Sequence, residues 1–243
     1  MHTRDFIRSQ MVSLGVNNSP ALMLHASLRK IGLIQGGPEV LLDVIVETLP
    51  ENSALLMPLG ADDREPFDMK TSLAEKDIGA LAEIFRCRKE TLVNDHVAGR
   101  FGAIGKASQK LLNPTPLNDY YGPGSLLDRF TQMNGSVLRI GADLDTVTLT
   151  HYAEYLADIP NKKRVNRKYV RSDTGLQFIE SLDDTNGISE WKKGDYFSQI
   201  LIDYLKEGRA KVAIVGNSRA EIFRAQDFVH YSVQWLESNF SSS

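Results

Sequence analysis

One cysteine, Cys87, stands in 243 residues, so no intramolecular disulfide can form and no thiolate metal cluster can be assembled. A reducing, cytoplasmic setting is therefore the expected one. No apolar run approaches the roughly 18 residues of a membrane span, and the N-terminal stretch MHTRDFIRSQMVSLGV carries charges throughout where an export signal needs a continuous apolar core. Neither sign of charge dominates. The chain has 28 Lys and Arg against 31 Asp and Glu, a net charge of -3 mixed along its length, without the basic stripe that nucleic-acid binding requires. Membranes and nucleic acids drop out as expected partners. Walker A, GxGxxG, GxSxG, HExxH and EF-hand spacings are all missing, so no metal is expected and a serine-hydrolase reading is weakened.

What is present is a globular composition, 42% apolar and 24% charged, enough for a substantial core. Residues 3–14 place Phe6, Met11 and Leu14 at near-helical spacing, and Asn17-Asn18-Ser19-Pro20 stops them. ALMLHAS (21–27) and SALLMPL (53–59) are short apolar runs, the pattern of strands buried on both faces. Between them, Pro38 opens a helix with Val40, Leu41, Val44, Ile45 and Leu49 on one side. Strand, helix, strand predicts a parallel pair. Residues 60–72 read as a long acidic loop, 77–87 as helix, 91–104 as extended, 105–112 as helix, 113–125 as loop and 126–133 as helix. SVLRIGA (136–142) is a third buried strand. From Lys162 the alternating, basic pattern predicts antiparallel strands that extend the sheet, then a helix at 196–206, a strand at KVAIVGN and a helix at 224–240. One α/β domain spanning 1–243 is expected.

Three segments could carry chemistry. In DTVTLTHYAEY, His151 and Glu154 lie three apart on one helical face, directly after a buried strand, where ligands gather in open α/β sheets. A carboxylate beside an imidazole raises its basicity and orients its ring, which a general base near neutral pH needs. The same pair also suits a structural histidine beside the core. Asp145 or Thr146 sits where an N-cap is wanted, a contribution of about 1 kcal/mol. In SLRKIGLIQGG, Arg29, Lys30, Gly36 and Gly37 precede the helix N-terminus at Pro38, an arrangement suited to a phosphate or to a solvated turn. The acidic loop, with Asp62, Asp63, Glu65 and Asp68, could attract a polycation, bind a hard metal or remain solvated.

The segments LMLHASLRKIGLIQGG, EPFD, GALAEIFR, HVAGRFGAIG, GPGS, VLRIGADLDTVTLTHYAE and ADIPNKKRV occur in the order found in the aminoglycoside 3-N-acetyltransferases. From about residue 1 to the C-terminal helix the chain resembles that antibiotic N-acetyltransferase family. The resemblance implies an α/β fold with a central mixed β-sheet flanked by helices and an antiparallel C-terminal extension, distinct from the GNAT fold. It implies direct acetyl transfer, within a ternary complex, from acetyl-coenzyme A to the 3-amino group of the 2-deoxystreptamine ring, with antibiotic resistance as the outcome.

Carried over by position, the resemblance makes His151 the catalytic base, Glu154 its companion, and Asp145 the aspartate that buttresses the histidine in one branch of the family. Ser27, Leu28, Arg29, Lys30 and Ile31 match the segment along the pantetheine and phosphates of coenzyme A, with Gly36 and Gly37 beside it. Asp184 in DDTNG resembles an acidic position near the amino sugar, and Asp63 and Asp68 of the acidic loop are expected on the substrate side. Asp145 stays divided between capping the helix and orienting the imidazole. The chain departs from the family at His96-Val97-Ala98-Gly99-Arg100, where His-Pro-x-x-Ser is usual; Arg100 is expected either to contact a phosphate of the cosubstrate or to alter the pocket. The implied partners are an aminoglycoside and acetyl-coenzyme A, for a monomer or homodimer. Another amine as acceptor, or a coenzyme A-binding module without catalysis, are the alternatives.

Overall fold

The computed structural model describes residues 1–61 and 64–240. The Thr3 hydroxyl accepts from the Phe6 N–H and Gly15 closes the segment in left-handed backbone, so the first helix, α1, runs Arg4–Leu14 and buries Ile7, Met11 and Leu14. LMLHA forms β1, Leu22–Ala26. A single turn, α2 (Leu28–Ile31), and the proline-initiated α3 (Pro38–Thr48) lead to β2, Leu55–Pro58, parallel to β1 as expected. Then come α4 (Ala80–Arg86), β3 (Leu92–Val93), β4 (Phe101–Ile104), α5 (Ser108–Leu112) and α6 (Leu126–Gln132). β5, Ser136–Ile140, pairs parallel with the other side of β1, and α7 (Leu149–Leu156) follows it.

Beyond α7, the basic alternating stretch forms β6 (Arg164–Arg171) and β7 (Gly175–Leu182), antiparallel as predicted but paired with each other in a separate ribbon. After α8 (Tyr196–Lys206), β8 (Lys211–Val215) and β9 (Ser218–Arg224) supply the antiparallel extension of the main sheet, and α9 (Ala225–Phe240) ends the described chain. The sequence reading had no strand at 218–224. Its alternation is masked because Ala220, Glu221, Ile222 and Phe223 are all buried, with Glu221 paired to Arg139.

The sheet order is β3-β4-β2-β1-β5-β9-β8. Because successive side chains alternate across a strand, β1 sends Leu22 and Leu24 to one core with α1, α3 and α4, and Met23 to the other with α6, α7, α8 and α9. No helix among the described residues is long and apolar enough to cross a membrane. The three parallel strands β1, β2 and β5 end on one edge, so the loops after them and the start of α7 gather there.

Candidate active site

α7 does not begin on a capping side chain. Its N-cap position is Thr148, in helical backbone without a side-chain cap bond. This corrects the expectation that Asp145 or Thr146 caps it: the Thr146 N–H and hydroxyl both donate to the Asp143 carbonyl, and Asp145 is exposed in that turn. Among the described residues neither a hydrogen bond nor an ion pair joins Asp145 to His151. The imidazole is held instead by Glu154, whose Oε2 lies 2.9 Å from Nδ1. A carboxylate can only accept, so Nδ1 carries the proton and Nε2 is left with its lone pair.

Glu154 is 1% exposed, and both of its oxygens are engaged. Oε1 accepts from the Tyr196 hydroxyl, which in turn accepts from the Ile188 N–H at 2.9 Å. A buried carboxylate is tolerable only when so satisfied. The imidazole faces are covered too, by Tyr121 stacked at 5.1 Å and 8° and by Phe197 at 4.9 Å and 59°. Burial pushes the His151 imidazole toward its neutral form; the hydrogen bond and charge of Glu154, reinforced by Asp184, outweigh it, so His151 is more basic than an ordinary histidine.

His151 lines a cavity of ≈ 1220 Å³ that also takes in Pro58 and Gly60 at the end of β2, Tyr120 and Tyr121, and Tyr169 of β6. Asp184 is on the same wall, accepting from the Tyr120 hydroxyl and paired with Arg167, which also reaches Asp183 at 3.1 Å. Glu65, Glu75 and Asp77 add negative charge, and Arg64, Lys76 and Lys168 positive charge, so the wall carries both signs. Among the described residues no group of three or more His, Cys, Asp or Glu side chains could hold a metal ion.

Residues 64–67, after β2, also line the cavity, and Phe67 anchors them. Its N–H donates to Val170 and its carbonyl accepts from Ser172, while the Arg100 and Arg171 guanidinium groups lie 5.4 and 5.2 Å from its ring. Here the phosphate half of the expectation for Arg100 is corrected, and the pocket half is left open. It is 1% exposed and donates to the carbonyls of Gly60, Met69, Ser72 and Leu73, so its charge holds the loop and does not reach toward a phosphate. Burial lowers its pKa to about 10. His96, in the same departure from the family pattern, accepts from the Ala98 and Gly99 N–H groups through Nδ1, and its Nε2 lies 3.0 Å from the Leu117 carbonyl.

Of the acidic-loop residues, Asp68 is spent locally: its Oδ1 accepts from the Lys70 and Thr71 N–H groups at 2.8 Å, and it does not line the cavity. Asp62 and Asp63 lie outside the described residues. The Ser27–Ile31 turn begins where β1 ends, with the Ser27 N–H on the Ile140 carbonyl. It shares the sheet edge with the cavity but none of its residues lines it. Arg29 and Lys30 are exposed, Lys30 being paired with Asp143 at 2.7 Å. Gly36 and Gly37, both in left-handed backbone, lead into α3.

The structure thus brings His151, Glu154 and Asp184 together. It adds Tyr120, Tyr121, Arg167, Tyr196 and Phe197, which the sequence reading missed. The signal available for the tyrosine pair was two aromatics in an otherwise polar, glycine- and proline-rich loop.

A family model described as aminoglycoside 3-N-acetyltransferase matches residues 23–237. Aminoglycoside N(3)-acetyltransferase III of Pseudomonas aeruginosa is 31% identical over 262 residues, covering 100% of this chain and 96% of its own. Among solved structures, AAC-IIIb in its binary complex with CoASH is 28% identical, with a TM-score of 0.93 over 99% of this chain and 98% of that one. AAC-VIa bound to sisomicin is 26% identical, with a TM-score of 0.92 over 99% of each chain. With a matching family model over most of its length and the same mixed sheet, this chain belongs to the aminoglycoside 3-N-acetyltransferase family.

Proposed function

We propose that this protein transfers the acetyl group of acetyl-coenzyme A to the 3-amino group of the 2-deoxystreptamine ring of an aminoglycoside and so confers resistance to it, residues 1–243 acting as one acetyltransferase domain. The observation that carries this reading is His151, tied through Nδ1 to buried Glu154 and lining a cavity whose wall also bears Asp184. The relatives' acetyltransferase names, and the coenzyme A and sisomicin in the complexes of two similar structures, support it.

In this reading both substrates are held at once. An ammonium is no nucleophile; Nε2 of His151 takes one of its protons, and the freed lone pair attacks the thioester carbonyl carbon. The tetrahedral intermediate loses a second nitrogen proton to solvent, its C–S bond breaks, and the imidazolium protonates the departing thiolate. Glu154 keeps the Nδ1 proton in place throughout and stabilises the imidazolium. Asp184 holds an amino group of the acceptor. The Ser27–Ile31 turn, with Arg29 and Lys30, and the Gly36-Gly37 pair face the pantetheine and phosphates of acetyl-coenzyme A. No covalent enzyme intermediate is needed, because binding both reactants in register supplies the rate advantage.

Lys76 and Lys168 on the cavity wall favour a second reading, in which the acceptor amine also bears an anionic group. A thiol-release assay with acetyl-coenzyme A and gentamicin, tobramycin, kanamycin, apramycin and neomycin separates the two. Transfer to at least one is expected. Failure with all five removes the aminoglycoside assignment, and turnover with carboxylate- or phosphate-bearing amines then favours the second reading.

A further inference from the structure

α8 starts on Asp195, whose carboxylate accepts from the Phe197 and Ser198 N–H groups at 2.9 and 3.1 Å. That cap fixes the helix's first turn, and the two aromatics in it both act on α7: the Tyr196 hydroxyl donates to Glu154, and the Phe197 ring packs on His151. Tyr196 is 5% exposed, and its hydroxyl oxygen is held by the Ile188 N–H. Gly187 makes that approach possible. Its φ is +79°, and a Cβ there would meet the Tyr196 hydroxyl at 2.6 Å. The same short turn, residues 183–188, carries Asp184 at the cavity wall, so one backbone segment touches both the acceptor side and the support of the base.

We propose, resting on the base role of His151 proposed above, that Tyr196 is a positioning residue for acetyl transfer: its O–H donor holds the Glu154 carboxylate in a single orientation and thereby fixes the tautomer of His151. Burial, with the Glu154 charge beside it, drives the Tyr196 phenol far from ionising, so it acts as a donor that never gives up its proton. Without that donor, Oε1 of a buried carboxylate has no partner. The His151–Glu154 pair then takes up a proton at higher pH, either as imidazolium or as a protonated carboxyl that forces the Nε2–H tautomer; neither form can accept the substrate's proton. The other charged or titratable groups near the pair are Asp184 after β7, Arg167 on β6, Lys162 ahead of β6, Asp195 at the start of α8 and Tyr121 before α6, and Tyr196→Phe removes none of them.

The test compares wild-type protein, Tyr196→Phe and protein with 3-fluorotyrosine at position 196, a stronger donor that preserves the ring. Two readouts are followed: the imidazole nitrogen shifts of His151 by NMR, which report its tautomer and titration without any substrate, and the acid limb of kcat/KM. For Tyr196→Phe the expected result is a rise of about one pH unit in both, with kcat/KM at neutral pH down about tenfold. Fluorotyrosine should move both the opposite way. An unchanged titration in folded Tyr196→Phe, with only a lower Tm, overturns the positioning role; if Tyr196→Phe does not fold, an unchanged titration in the fluorotyrosine protein does so. A shifted titration in a wild-type background that acetylates no amine would instead leave the positioning role standing and remove the acetyltransferase reading.

Discussion

Glu154 grips His151 by Nδ1 at 2.9 Å from within the same helix, one turn along, while its other oxygen is tied to α8. His151 is thus fixed from within α7 and α8, with Tyr121 of the loop before α6 stacked on its ring.

The first prediction concerns that pair. His151→Ala should lower kcat by about 10²–10⁴-fold, the usual contribution of a general base, and leave coenzyme A binding by calorimetry nearly unchanged. Glu154→Gln removes the interactions that raise the imidazole's basicity, so the acid limb of kcat/KM should move to lower pH while kcat falls. Unaltered turnover in His151→Ala would dispose of the base.

Two other histidines set the pH dependence of stability. Burial, with Arg139 beside it, lowers His25 from 6.5 to about 3, and burial also lowers His96. A group depressed in the folded state binds its proton in the unfolded chain first, so this stability is complete above about pH 6.5 and is lost as pH falls. His25 contributes a slope that approaches about 1.4 kcal/mol per pH unit below that point, and His96 adds to it in the same direction. His151 has the opposite sign, its contribution being present at low pH and lost as pH rises through its elevated pKa. Urea unfolding between pH 6.5 and 5 should show the decline, and His25→Leu should remove one proton's worth of it. A slope that His25→Leu leaves intact would exclude His25.

Arg100→Met strips four carbonyls of their donor and should cost about 1–3 kcal/mol, read as a lower Tm. The KM for acetyl-coenzyme A should hold. A raised KM with normal stability would return Arg100 to the phosphate role.

Asp145→Ala, in contrast, should change stability by less than about 0.5 kcal/mol and leave kcat as it was, since the side chain is exposed and neither caps α7 nor meets His151. A loss of about 1 kcal/mol would reinstate it as the cap.

The central strands were legible because β1, β2 and β5 are buried on both faces and read as uninterrupted apolar runs bounded by turns. His151 and Glu154 were legible from their helical spacing. Arg100 was not, because a buried arginine and a phosphate-binding arginine look alike until its carbonyl partners are known. Tyr196 was invisible for the same reason: its partner lies 42 positions away, and no local period marks such a contact. β6 and β7 were correctly paired but assigned to the wrong sheet, since alternation specifies a strand's faces and not its neighbours.

Phe67 joins a loop to a ribbon about a hundred residues further along the chain, and among the described residues Phe67 makes no ring contact or hydrogen bond with His151. Insertions or deletions between Gly60 and Phe67 would therefore reshape that part of the cavity wall while the His151–Glu154 pair stays as it is. On this plan the shape of the cavity can change through loop length alone, with no intermediate in which the His151–Glu154 pair is disturbed.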